Sequence, residues 1–107
     1  MHNEKYFEIA QTILMQLGGK KFIIMTGSRD FTYTGGENIK TSLSMRLAKN
    51  KSGANNLRIT LDWDDTYTMT FLKCTPKQMK VIREFEGVYF DMLQEIFTDV
   101  TGLDTHL

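Results

Sequence analysis

Three short segments alternate apolar and polar residues, and this alternation constrains the fold more than any other feature of the chain. In "IKTSLSMRLA" Leu43, Met45 and Leu47 point one way, and Ser42, Ser44 and Arg46 the other. In "LRITLDW" Leu57, Ile59, Leu61 and Trp63 fall inward, and Arg58, Thr60 and Asp62 outward. "TYTMTFLK" sets Tyr67, Met69 and Phe71 inward against Thr66, Thr68 and Thr70. A period of two belongs to pleated strands with one buried face and one wet face. Three such strands joined by short polar loops predict an antiparallel meander.

The flanking segments read differently. "KFIIMTG" is a near-continuous apolar run rich in β-branched residues and predicts a central strand over about 21–26. Residues 3–18 bring Tyr6, Phe7, Ala10, Ile13, Leu14 and Leu17 to one helical face. Asn3 is the expected N-cap there, and Gly18-Gly19 the stop. "TPKQ" offers Thr75 as a cap, Pro76 at the first helical position and Gln78 to complete a capping box. A helix is expected from there to about Phe85, interrupted at Gly87. A second helix follows, with Tyr89, Leu93, Ile96, Phe97 and Val100 inward and Gly102 at its end. The expected fold is α+β in two layers: a four-stranded, mainly antiparallel sheet with helices on one face, in the order α-β-β-β-β-α-α.

A chain of 107 residues suits one domain, 1–107, and buries roughly two thirds of its unfolded surface without staples. Its one cysteine, Cys74, excludes an intramolecular disulfide and points to a reducing compartment. Glu4, Lys5 and Glu8 argue against a signal peptide, and no run approaches about 18 apolar residues. A cytoplasmic protein without a membrane partner is expected.

The formal net charge of zero hides a gradient. Residues 20–58 hold eight bases (Lys20, Lys21, Arg29, Lys40, Arg46, Lys49, Lys51, Arg58) against two acids, Asp30 and Glu37. Residues 59–107 hold four bases against nine acids. Such asymmetry marks a nucleic-acid or protein partner, unless the opposite charges meet across the folded surface.

Catalytic chemistry finds little footing. "GSRDFTYTGGEN", residues 27–38, is glycine-rich, but Gly27, Gly35 and Gly36 are badly spaced for a phosphate cradle, and a strand rather than a helix follows. It reads as a connector able to present Arg29, Phe31 and Tyr33. Asp62, Asp64 and Asp65 of "DWDD" supply oxygen ligands for a hard cation, but alternate faces and an expected turn separate them. His2 and His106 sit at the two ends, and Cys74 has no histidine in sequence reach. The expectation is a non-enzyme with no cofactor and no bound metal.

Two surfaces remain. The outward sheet face carries Lys40, Arg46 and Arg58 among serines and threonines; Arg29 lies in the connector, and Lys49 and Lys51 on a mobile tip. A basic, hydroxyl-rich surface contacts phosphates, although single-strand binders also need exposed aromatics. Asp91, Glu95 and Asp99 form an acidic stripe on the last helix, at a spacing that costs a few tenths of a kcal/mol per pair. Its counterpart is either the bases Lys77, Lys80 and Arg83 of the preceding helix or a basic partner.

"KFIIMTG", "NNLRITL", Asp65, Tyr67, Phe71 and "GVYFDMLQEIFTDVTGL" with Thr105 together resemble a family of small proteins carried by bacteriophages and integrative mobile elements. The likeness spans roughly residues 17–107, and "DWDD" departs from it in its number of acids. Its motifs are core and turn positions, so it implies context and no catalytic residues: an intracellular protein in a bacterial host. The leading expectation is a small non-enzymatic binder of a host macromolecule that inhibits a host defence or nucleic-acid-processing protein. The alternatives are a nucleic-acid-binding accessory protein using the basic face, and a small metal-dependent enzyme. Exposed edge strands admit a homodimer.

Overall fold

The three alternating segments form the centre of a five-stranded sheet in a computed structural model that describes residues 4–105. The elements are α1 (Glu4–Leu17), α2 (Gly19–Thr26), β1 (Arg29–Gly36), β2 (Ile39–Arg46), β3 (Asn56–Leu61), β4 (Tyr67–Cys74), β5 (Met79–Val88), a 3-10 turn (Phe90–Met92) and α3 (Leu93–Thr101). The strands pair in sequence order, every pair antiparallel. The fold is α+β with helices on one sheet face, but it has five strands rather than four, and two helices precede the sheet. His2, Asn3 and His106 lie outside the described residues.

Leu43, Met45, Leu57, Ile59, Tyr67, Met69 and Phe71 are buried as their alternation requires. The helices cover them with Ala10, Ile13 and Leu17 of α1, Phe22 of α2, and Leu93, Phe97 and Val100 of α3. Four rings tie the layers together. Phe22 meets Phe97 edge-on at 4.9 Å, Phe97 lies 6.5 Å from Phe71, and Phe71 meets Phe85 edge-on at 6.2 Å. Gly35 of β1 lets α1 approach closely: a Cβ there would stand 2.8 Å from Tyr6.

Four expectations are overturned. "KFIIMTG" is not a strand; it is α2. Phe22 and Thr26, one helical turn apart, are buried while Ile24 is 72% exposed. A short apolar run has no period by which to tell helix from strand, and here one-sided burial under α3 decides. The glycine-rich stretch after it is not a connector: residues 29–36 are edge strand β1. Trp63 and Tyr89 face solvent, at 69% and 61% exposure, because Trp63 falls in the β3–β4 turn and Tyr89 between β5 and α3.

The largest correction concerns residues 75–88. "TPKQ" is the β4–β5 hairpin turn, in which the Thr75 N–H donates to the Gln78 carbonyl at 2.8 Å, and no helix follows it. Ile82, Phe85 and Val88 turn toward the core at intervals of three, which imitates a helical face. Two irregularities in β5 produce that interval. Tyr67 and Met69 pair with Val88 and Phe85, and Phe71 and Leu72 with Arg83 and Val81, so β5 carries an extra residue each time. Gly87 accommodates the first of these at φ +66°, a left-handed backbone that other residues adopt with strain.

Candidate nucleic-acid interface

β1 begins, β2 ends, β3 begins, β4 ends and β5 begins at the same end of the sheet. That end gathers Arg29, Arg46, Arg58, Lys49 and Lys51, five of the six bases expected to form an interface. It also gathers Lys73, Lys77 and Lys80, which sequence reasoning placed on a helix. Reading "TPKQ" as a turn with Pro76 in second place was the signal that would have found them. Lys40 lies at the opposite end. Its ammonium is 3.1 Å from Asp62, the one ion pair among the described residues.

Two pairings at the basic end run against stability. Arg29 sits directly opposite Arg46 across β1–β2, and Lys73 directly opposite Lys80 across β4–β5. Like charges in directly opposed positions destabilise a sheet. All four are exposed, and among the described residues none has an acidic partner within 4.0 Å.

The loop carrying Lys49 and Lys51 is tied down rather than a free tip. Asn50 donates through Nδ2 to the carbonyls of Ala48 and Ala54, at 2.7 and 2.9 Å. The Lys51 N–H donates to the Thr101 carbonyl at 3.3 Å. Asn55 donates to the Cys74 carbonyl and accepts its N–H, at 2.9 and 2.8 Å, as a strand residue would. Cys74 is half-buried in this arrangement.

The outer sheet face is less basic than its strands suggested. Its hydroxyls bond one another and two acids. Ser42 Oγ lies 2.8 Å from Thr60 Oγ1, Thr68 donates to Asp62 at 2.7 Å, and Thr70 donates to Glu84 at 2.8 Å. β5 brings Glu84 onto this face.

The "DWDD" carboxylates serve the β3–β4 turn. Asp62 accepts from Lys40 and Thr68. Asp64 accepts the Thr66 hydroxyl at 2.7 Å and its N–H at 3.1 Å, and these bonds, the hydroxyl's first, hold its carboxyl below the ordinary range. Asp65 takes a left-handed φ of +67° there. Among the described residues no three acids, histidines or cysteines converge as a metal site.

The acidic stripe lies along α3. Asp91, Glu95 and Asp99 border a groove of about 720 Å³ with Asp104, Gln94 and the 60%-exposed Phe90. Lys77, Lys80 and Arg83 are on the hairpin turn and β5, not on a neighbouring helix, and form no ion pair with the stripe. Asp99 does share a shallow depression with Lys51 and Arg83.

No protein-family model, curated protein or solved structure matches the chain. Its surfaces therefore speak through their chemistry alone. The basic end offers long cationic side chains on a rigid frame and no ring exposed for stacking among Arg29, Arg46, Lys49, Lys51, Arg58, Lys73, Lys77 and Lys80. Such a surface suits phosphate backbones rather than base edges. No described helix is long and apolar enough to cross a membrane.

Proposed function

We propose that the protein is a non-enzymatic nucleic-acid-binding accessory protein of a mobile element, which grips the phosphate backbone with the basic end of its sheet. The observation that carries this reading is the two like-charged register pairs at one sheet end, Arg29 opposite Arg46 on the outer face and Lys73 opposite Lys80 on the face that carries Phe71. Each costs stability in the free protein, and a polyanion removes the cost. Four separate segments contribute to this end: the start of β1, the β2–β3 loop with its flanking strands, the end of β4 and the start of β5. Inhibition of a host defence protein, the other expectation, draws on the stripe of one helix and on Asp104.

The test is fluorescence anisotropy with labelled duplex DNA, single-stranded DNA and RNA at two salt concentrations. Binding should weaken steeply with salt and show little sequence preference. Lys73→Glu with Lys80→Glu should lower affinity by about tenfold or more and flatten the logarithmic salt dependence by about two. Absence of binding at low salt, or indifference to this double reversal, would contradict the proposal.

A further inference from the structure

The β4–β5 hairpin and the α3 groove are complementary surfaces on one molecule. The groove is acidic, with Asp91, Glu95, Asp99 and Asp104 around an exposed Phe90. The hairpin is basic, with Lys73 and Lys80 on one of its faces and Lys77 in its turn; Met79 and Val81, 64% and 53% exposed, lie on the other face. The two surfaces carry opposite charge, and each includes exposed apolar side chains. They share no residue, and among the described residues neither finds its ion-pair partner within its own chain.

We propose that the occupant of the α3 groove is the β4–β5 hairpin of a second copy of this chain. The hairpin has the shape for it: its turn is a tight Thr75–Gln78 closure, and it ends an edge of the sheet. The contact joins two different patches, so it is head-to-tail and extends to chains or rings rather than stopping at a two-fold dimer. Two electrostatic costs are relieved together. Asp91, Glu95 and Asp99 repel at intervals of one helical turn, with Asp99 at the helix end where the dipole disfavours an anion, and Lys73 repels Lys80. Strand-to-strand pairing is the poorer route to self-association. Both edge strands, β1 and β5, carry register shifts that break the row of free backbone groups. The inference stands independently of nucleic-acid binding, and nucleic acid competes for the same hairpin lysines.

Sedimentation velocity on the full chain tests it. At low salt, about 50 mM, the average mass should rise with protein concentration, and at about 500 mM it should return to the monomer. Two charge-swapped variants sharpen the result. Asp91→Lys with Glu95→Lys, and Lys77→Glu with Lys80→Glu, should each self-associate about tenfold more weakly or worse. Mixed together they should associate again, because each hairpin then meets a groove of opposite sign. All four positions are exposed, so circular dichroism should show the fold intact. A wild-type chain that stays monomeric at low salt, a variant that associates as the wild type does, or a mixture that does not recover would each overturn the proposal.

Discussion

At the residue scale, Tyr67 shows how one side chain serves two layers. It is buried on the core face of β4, and its hydroxyl donates to Gln16 Oε1 of α1 at 2.7 Å. Burial pushes its ionisation above the ordinary 10.0; the Gln16 bond opposes this and the charge of Asp65 adds to it. A raised value in the folded state means that the native protein keeps a proton which the unfolded chain releases. The associated stability is complete below about pH 10 and is lost as pH climbs through the folded value. In urea titrations Tyr67→Phe should therefore show a shallower loss of stability above pH 10 than the wild type. Near neutrality the same change should cost about 1 kcal/mol for the missing hydrogen bond. An alkaline limb identical in the two proteins would contradict the assignment.

At the scale of elements, the basic end sets stability against binding. Arg46→Glu replaces a like-charged cross-strand pair with an opposite-charged one beside Arg29. Urea denaturation should show a gain of about 0.2–1 kcal/mol, while anisotropy shows weaker nucleic-acid binding. A variant that lost both would make Arg46 a structural residue. The same elements explain what could be read from the sequence. Strands β2, β3 and β4 were legible because each buries one face, so period two survives in the residues. β5 was not, because its two irregularities convert a strand's alternation into a spacing of three, and Thr75, Pro76 and Gln78 suit a tight turn as well as a helix start. α2 was hidden by its apolar exposed side, where Ile24 sits. Of the candidate site, Arg29, Arg46, Lys49, Lys51 and Arg58 were visible as bases. Their place at the same sheet end as Lys73, Lys77 and Lys80 depended on the topology of β5.

At the scale of the whole molecule, zero net charge resolves into two poles. The strand ends carrying Arg29, Arg46, Lys73 and Lys80 form the positive one. The opposite end carries Lys40 against a larger number of acids: Glu37 in the β1–β2 turn, the Asp62–Asp65 turn, Glu86, and the start of the α3 stripe at Asp91. Such a field orients an approaching polyanion toward one end and speeds the encounter at low salt. The most direct measurement is residue-by-residue mapping of backbone amide chemical shifts while short duplex DNA is titrated into the labelled protein at low salt. Binding at the basic end predicts that the shifts concentrate at residues 29, 46–51, 58 and 73–80 and spare the 62–66 turn and the start of the stripe at residues 91–95. Shifts centred on the 62–66 turn or on α3, or none at saturating DNA, would contradict the central claim that this end of the sheet is the binding surface.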